Sequence, residues 1–331
     1  MRRDWITALA LLAPLGLRAE EPPTLVRSIG RTGSGPGFFE APAGVALDAA
    51  GNLYIAELFG YRVQKLGPRD STIALIGGPG NGPGQLIQPA DVVIDQRQRL
   101  WVTDRGNHRL QWFTLDGGFL GAFGDTARVE FFNPNGLGLD PNAPYLYVAD
   151  TSHHRIRKFD ISGDMPVPVA NFGQRGSGPG DLDQPLDVAI SRNGEIHISE
   201  WGNNRLQILS PEGIFRMSFG RTGNQPGQFS APAGVSVDSL DNIYVSDTFN
   251  GRVQKFRRNG TFIVLWGPST DKLYRLRNPL RMALTPDGLA VVCDRDPNRH
   301  SDRVAIYRLD GAITAVEARS WTAVRRLYRG R

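Results

Sequence analysis

The sequence predicts an all-β fold, a six-bladed β-propeller in which each blade is a sheet of four antiparallel strands. Three observations lead to this prediction. A unit of about 47 residues recurs six times along the 331 residues. Each unit contains short β-branched and aromatic runs that are bounded by Gly, Pro, Asn or Asp. Helical spacing of apolar residues is absent until the last dozen residues.

Each unit begins with a proline and an apolar first strand. These prolines lie 45 to 51 residues apart, at Pro42, Pro89, Pro134, Pro185, Pro232 and Pro279. A second strand follows, such as Leu53-Tyr54-Ile55-Ala56, in which apolar side chains point alternately to both faces. A third strand opens with arginine, and a fourth ends in an aromatic residue or Ile followed by Gly. Because both faces of such strands are apolar, we expect each blade to be buried by its neighbours, which favours radial blades over a solenoid.

The segment 24–29 has the sequence of a fourth strand, although no complete unit precedes it. We therefore predict that it forms the outer strand of blade six, beside residues 303–309, where it ties the chain ends together and covers a sheet edge. A rival for this position is the segment 312–316.

The predicted organisation is a signal peptide at 1–19, one propeller at 20–315 and a basic tail at 316–331. The predicted blades span about 29–75, 76–122, 123–171, 172–218, 219–265 and 266–315.

Recurring sequence patterns connect the chain to a known family. They are PxGVAxD, then an aliphatic–aromatic strand that ends in Asp or Glu, then a polar loop and Arg, as in residues 104–109. These repeats resemble the NHL family of propeller repeats, and the resemblance extends from residue 24 to about 315. Five units match well. In the sixth, the step from acid to arginine is nine positions, from Asp294 to Arg303, instead of five.

An acid ends every second strand and an arginine opens every third strand. The pairs are Glu57 and Arg62, Asp104 and Arg109, Asp150 and Arg155, Glu200 and Arg205, Asp247 and Arg252, and Asp294 and Arg303. A ring of acids at one end of a propeller is compatible with a cation site. We favour structural ion pairs, since each acid has its own arginine across the same hairpin. The glycine-rich loops, such as 33–39, lack the Lys-Ser/Thr and the helix of a phosphate-binding loop.

The chain reverses at every turn, so the loops between second and third strands and the loops between blades should lie on one face. Loops on a rigid scaffold commonly hold binding residues. The least repeated residues of these loops are therefore the predicted binding residues: Phe59, Tyr61, Arg105, His108, His154, Trp201, Phe249 and His300. The alternative interpretation is that Phe59, Trp201 and Phe249 cover turns and pack on the neighbouring blade.

The histidines allow two interpretations. His108 and His154 each lie four residues after the second-strand Asp, which is similar to the Asp-xxx-His placement in peptidyl-hydroxyglycine amidating lyases. These lyases are propellers with a histidine-bound metal in the channel, so the resemblance implies zinc or calcium, with His300 as the remaining ligand. We favour the absence of a metal and of any cofactor, because Asn-His-Arg is ordinary in NHL repeats, where the histidine is a solvated turn residue. His197 replaces a tyrosine or tryptophan and is expected to pack between blades.

The leading functional hypothesis is a non-catalytic binding propeller that contacts a protein, peptide or glycan through its loops. The alternative is a metal-dependent propeller lyase or a lactone hydrolase with its active site at the channel mouth. A third hypothesis, RNA binding, is known for some NHL propellers. The distribution of charge argues against it, since residues 20–315 carry 30 basic and 31 acidic residues although the whole chain has a net charge of +5. We therefore expect no nucleic-acid partner.

The first residues have the pattern of an export signal. Arg2 and Arg3 precede an apolar run from Ile6 to Leu17, and small Ala19 marks the expected cleavage site. An ordinary positive start is favoured over a twin-arginine signal, and the mature chain is expected in the periplasm or secreted. No other apolar run approaches the length of a membrane helix. The single cysteine, Cys293, excludes an intrachain disulfide.

The excess positive charge is concentrated at the chain ends. The tail 316–331 carries five arginines, which lie between apolar residues at helical spacing. Such a tail is expected either to lie on an anionic surface or to form a docked or frayed helix.

Overall fold

The computed structural model of the chain contains six four-stranded antiparallel sheets. It describes residues 20–124, 130–268, 270, 275–298 and 300–309. The predicted signal peptide, the basic tail and the rival strand at 312–316 lie outside the described residues. Among the described residues, no helix is long and apolar enough to cross a membrane.

Each blade uses four strands in sequence order, except that the outer strand of blade six comes from the beginning of the chain. Blade one contains β2 (Pro42–Leu47), β3 (Leu53–Glu57), β4 (Arg62–Leu66) and β5 (Thr72–Gly77). Blade two contains β6 (Pro89–Ile94), β7 (Arg99–Asp104), β8 (Arg109–Thr114) and β9 (Phe119–Gly124). Blade three contains β10 (Pro134–Leu139), β11 (Tyr145–Asp150), β12 (Arg155–Asp160) and β13 (Val167–Phe172). Blade four contains β14 (Pro185–Ile190), β15 (Ile196–Glu200), β16 (Arg205–Leu209) and β17 (Phe215–Phe219). Blade five contains β18 (Pro232–Val237), β19 (Ile243–Asp247), β20 (Arg252–Phe256) and β21 (Phe262–Trp266). Blade six contains β22 (Asn278–Leu284), β23 (Leu289–Arg295), β24 (Arg303–Arg308) and β1 (Thr24–Ile29).

The first strands of the blades form a closed ring around a central channel. Strand β2 contacts β6, and the contacts continue through β10, β14, β18 and β22 back to β2. Strand β1 pairs with β24, so that Thr24 faces Arg308 and Ile29 faces Val304. Both the six-bladed fold and the predicted closure by residues 24–29 are confirmed.

Alternating side chains of the second strands fill the spaces between blades. In β3, Leu53 and Ile55 pack in a cluster with Val291 and Cys293 of blade six. The intervening Tyr54 and Ala56 pack against blade two. Burial of both faces, as the sequence predicted, makes each blade depend on its two neighbours. The Cys293 thiol is free and buried.

His197 occupies the aromatic position of β15 and is fully buried, as predicted. Neither ring nitrogen has a hydrogen-bond partner within the described part of the chain. Burial lowers the pKa of His197 from its usual 6.5 to about 4, because a charged imidazolium loses its hydration there. The side chain is therefore a neutral packing residue at physiological pH.

The repeated acids and arginines form ion pairs across their hairpins. In all six blades, the arginine Nε lies 2.7–3.0 Å from a carboxylate oxygen of the acid. Arg252 also donates hydrogen bonds to the carbonyls of Asn224, Gln225 and Gln228 in the preceding loop. Asp247 accepts the N–H of Ser230. The prediction of structural ion pairs is confirmed, and these charges fasten each hairpin to the loop that enters its blade.

Candidate functional site

The hairpin loops and the blade-to-blade loops share one surface. Leu58 N–H donates to Ala41 O at 3.0 Å, and Gly106 N–H donates to Ile87 O at 2.8 Å. Such bonds join each loop after a second strand to the loop that enters the same blade. We call this surface the loop face. The predicted common face is confirmed.

The predicted aromatic residues differ in exposure on the loop face. Phe249 is 63% exposed and Trp201 is 41% exposed. Phe59 is half-buried, and the guanidinium carbon of Arg295 lies 5.1 Å from the centre of its ring. Tyr61 has a left-handed backbone conformation with φ of 53° at the end of its loop. The binding roles of these residues remain predictions.

His108 and His154 join adjacent blades. Both have left-handed backbone conformations, with φ of 56° and 53°. The N–H of Asn133 in the next blade donates to His108 Nδ1 at 3.2 Å, and the N–H of Gln184 does the same to His154 Nδ1. Sequence analysis missed this role, because each acceptor meets a donor in the following repeat. The equivalent bond in blade four runs from Ala231 N–H to an Asn side chain, which shows that the position provides an acceptor rather than a histidine.

The candidate histidines do not form a metal site within the described part of the chain. His108 is nearly buried, whereas His300 is exposed. Within the described ranges, no group of three His, Cys, Asp or Glu side chains is placed to hold a metal ion. The proposed ligand set of His108, His154 and His300 therefore does not fit a zinc ion in this structure.

The channel contains a charged cluster that sequence analysis also missed. The third residue of each unit, counting its proline as the first, is either glycine or charged, and the three charged ones line the channel: Gly44, Asp91, Gly136, Asp187, Gly234 and Arg281. Because Pro42 pairs with Glu57 at the end of the hairpin, this ring lies close to the loop face. A cavity of about 350 Å³, walled by the first strands of all six blades, contains the three charged side chains in its lining. The detectable signal was charge in three of six aligned strands where the other three have glycine.

Arg281 lies between the two carboxylates of this cluster. Its Nε is 3.3 Å from Asp91 Oδ2 and 3.5 Å from Asp187 Oδ1. Its other nitrogens donate to the carbonyls of Ala90 and Leu186. All three charged side chains are buried. Burial raises the pKa of both carboxyls, and the positive Arg281 opposes this rise. One guanidinium serves two buried carboxylates, and the negative charge of Asp187 raises the pKa of Asp91 further.

The glycines of the ring provide space for these charged side chains. A Cβ atom on Gly44 would lie 2.5 Å from Asp91 Cα, and one on Gly136 would lie 2.6 Å from Asp187 Cα. Such contacts with backbone atoms require the strands to move apart. The alternation of glycine with a charged residue is thus a packing requirement of the ring.

Two arginines lie at the loop-face mouth of the channel. Arg105 and Arg295 directly follow the second-strand acids of blades two and six, and we call them the mouth arginines. Arg105 Nε is buried and has no hydrogen-bond partner among the described residues. Burial lowers the pKa of Arg105, and the positive charges of Arg281 and Arg295 lower it further. The mouth therefore holds positive charge that its own side chains do not neutralise.

Comparison with known proteins identifies the repeats. The family model for the NHL repeat matches residues 86–113 and 229–256. The chain carries NHL repeats. It is 35% identical over 74 residues to the E3 ubiquitin-protein ligase TRIM71 of Rattus norvegicus, a match that covers 22% of the chain and 8% of that protein. It is 34% identical over 76 residues to NHL repeat-containing protein 2 of Bos taurus, which covers 20% and 10%. The chain thus matches a tenth or less of the length of these curated relatives.

Solved structures share the fold at low sequence identity. A structural genomics protein of unknown function from Bacteroides thetaiotaomicron has a TM-score of 0.66 at 15% identity, with 85% of this chain and 75% of that chain covered. Virginiamycin B lyase from Staphylococcus aureus has a TM-score of 0.58 at 13% identity, with 81% and 95% covered. A gluconolactonase from Xanthomonas campestris has a TM-score of 0.59 at 15% identity, with 88% and 99% covered. At such identities the likeness establishes the propeller fold alone.

Proposed function

We propose that this chain is an exported, non-catalytic binding propeller that holds a protein, peptide or glycan on its loop face. The observation that carries the proposal is the pair of exposed aromatic side chains, Trp201 and Phe249, on loops that are fixed by ion pairs and backbone hydrogen bonds. Large aromatic side chains on a rigid surface lose little entropy on binding and are typical of binding hot spots.

The charged cluster in the channel favours a ligand that binds on the loop face rather than inside the channel. Arg281 donates to carbonyls of the strands that carry Asp91 and Asp187, and these two carboxylates accept the N–H groups of Leu137 and Val235 on the intervening strands. A ligand that approaches this end meets side chains already engaged with one another. The surrounding loops, which differ from blade to blade, are then the surface available for recognition.

The direct test uses the purified full chain on a peptide display library and on a glycan array. We expect selected ligands to lose binding when Trp201→Ala and Phe249→Ala are combined. The matched control is Leu240→Ala, which removes a side chain that is also exposed but lies in the turn between β18 and β19, away from the loop face. Ligands that depend on Leu240 and tolerate the double variant would contradict the proposal.

A second candidate function is a lactone hydrolase or lyase with chemistry in the channel. The observation that favours it is the buried carboxylate pair Asp91 and Asp187, since carboxyls with a raised pKa in a cavity are common acids and bases. Its metal-dependent form predicts zinc or calcium in the purified chain by elemental analysis. Hydrolysis of a lactone panel that Asp91→Asn abolishes would favour this function over binding.

Export is a separate part of the proposal, and it rests on the sequence pattern of residues 1–19. Expression in a Gram-negative bacterium, followed by fractionation, should place the chain in the periplasm. The mature form should begin at Glu20. A cytoplasmic chain that retains Met1 would contradict this part and leave the binding proposal intact.

A further inference from the structure

The mouth arginines differ from the arginines of the hairpins. Each hairpin arginine contacts its own buried acid at 2.7–3.0 Å. Neither Arg105 nor Arg295 forms an ion pair within the described residues, and the one contact of the Arg295 guanidinium given by the structure is with the ring of Phe59. Guanidinium groups keep their proton at physiological pH, so these charges must be met by solvent or by a ligand.

Their surroundings make this arrangement costly in the absence of a ligand. Arg105 is half-buried with a buried Nε, and the charges of Arg281 and Arg295 lower its pKa together with burial. Bringing like charges together in a partly desolvated site opposes folding. Structures commonly retain such a cost where the charges act on a bound group.

Apolar groups adjoin the charge of Arg295. Leu58 is buried with Ala41, Ala43 and Ala90, and Phe59 packs against this cluster on the loop face. The guanidinium carbon of Arg295 lies 5.1 Å from the centre of the Phe59 ring. A ligand at the mouth therefore meets guanidinium donors next to hydrocarbon, which suits an oxyanion group close to an apolar side chain.

A groove lies between blades five and six, and one of its lining residues, Asp296, directly follows Arg295 in the chain. Its volume is about 600 Å³, and its lining includes Phe249, Arg275, Arg277 and Asn298. The groove also contains Asp296, the neighbour of Arg295 in the chain, and this carboxylate already accepts the N–H of Asn298 and the hydroxyl of Ser301. Arginine and an exposed aromatic ring thus recur in this groove, so the chemistry of the mouth is repeated at a second place on the loop face.

We propose that the mouth arginines bind the carboxylates of an acidic peptide segment, which continues into the groove between blades five and six. This inference rests on the proposed function, since it names the ligand class of the loop face. The guanidinium fork matches a carboxylate in two parallel hydrogen bonds. A nucleic acid requires a broad basic surface, whereas residues 20–315 are almost balanced in charge.

The test measures fluorescence anisotropy of a labelled ten-residue peptide of Glu and Leu with the purified full chain. We expect Arg105→Gln and Arg295→Gln each to weaken binding about tenfold or more, because each removes a charge-assisted interaction. The control Arg192→Gln removes an exposed arginine in the turn between β14 and β15, away from the loop face, and should leave affinity unchanged. Binding should weaken with added salt, and a Lys-Leu peptide of equal length should not bind.

Three results would overturn the inference. These are affinity for the Glu-Leu peptide that neither substitution changes, equal binding of the Lys-Leu peptide, and binding of a ten-nucleotide RNA that depends on both arginines in place of the peptide. The Trp201 and Phe249 experiment distinguishes the two levels of the proposal. Loop-face ligands that are neutral or basic would refute the acidic peptide and retain the binding function.

Thermal unfolding without ligand provides a second readout. We expect Arg105→Gln to raise the melting temperature by about 2 °C or more, because it removes an unneutralised charge. The Glu-Leu peptide should raise the melting temperature of the wild type and not that of the variant. A lower melting temperature for unliganded Arg105→Gln would assign Arg105 a structural role and overturn the inference.

Discussion

Charged side chains at positions that keep the repeat are paired differently from charged side chains at positions that depart from it. At the hairpins, each buried acid is neutralised by the arginine of the same blade and by a backbone N–H, as for Asp247 with Arg252 and Ser230. In the channel, Arg281 serves both Asp91 and Asp187. At the mouth, Arg105 has no acid at all within the described part of the chain.

This difference distinguishes charges that stabilise the fold from charges that are available to bind a ligand. A charge pair that is repeated in six blades is balanced locally and contributes to the same hairpin each time. The charges of Asp91, Asp187 and Arg281 each appear in one blade and meet across blades, whereas Arg105 forms no ion pair within the described residues. Departures from the repeat are therefore better guides to function here than the repeated residues are.

Breaking a repeated pair should have the largest effect. Arg252→Met leaves the carboxylate of Asp247 buried without its cation, and we expect the free energy of unfolding to fall by about 3–5 kcal/mol. Urea unfolding monitored by circular dichroism measures it. The control is Arg258→Met, which breaks a pair with Glu195 whose arginine is half exposed and should cost less than about 1 kcal/mol. Equal losses in the two variants would contradict the distinction.

His197 replaces the tyrosine or tryptophan of four other second strands, and it should make the free energy of unfolding depend on pH. The pKa of His197 is about 4 in the folded chain and 6.5 ordinarily, so the unfolded chain binds the extra proton between these values. Stability is then fully present above pH 6.5 and is lost as the pH falls toward 4, by on the order of 3 kcal/mol. His197→Phe should remove this loss, as measured by urea unfolding at pH 7.5 and 4.5. The exposed control His300→Phe should keep it.

The channel carboxylates should give a smaller pH effect of opposite sign. Burial raises the pKa of Asp91 from 3.8 to about 7, so the folded chain holds the extra proton in this range. Stability is then lost as the pH rises from about 4 to 7. In Asp91→Asn, the loss between pH 5 and pH 8 should be smaller by on the order of 1–3 kcal/mol. The control Asp164→Asn alters an almost fully exposed carboxylate, and a change of equal size there would contradict the assignment.

The sequence was sufficient to predict the fold because the pattern was local. Four strands and their turn residues recur within each unit, so the blade count, the paired acids and the packing of His197 followed from alignment alone. The closure by β1 was predictable for the same reason, since its sequence matches the other outer strands.

Contacts between units could not be predicted in this way. The bond from Asn133 to His108 links two repeats, and the meeting of Asp91, Asp187 and Arg281 requires the ring to be closed. In the linear sequence these three residues are far apart and look like substitutions on separate strands. That Arg105 Nε has no hydrogen-bond partner among the described residues is likewise visible only in the folded structure.

The pairing of β1 with β24 joins the first and last described strands, and this affects how the chain folds during synthesis. During translation β1 is made before every other described strand, yet its partner β24 is the last described strand to be made. The edge that β1 presents must stay unpaired until the ring is complete, which exposes the growing chain to wrong strand pairing. Blade six is thus the last blade to be completed, and its completion by β1 closes the ring of six blades.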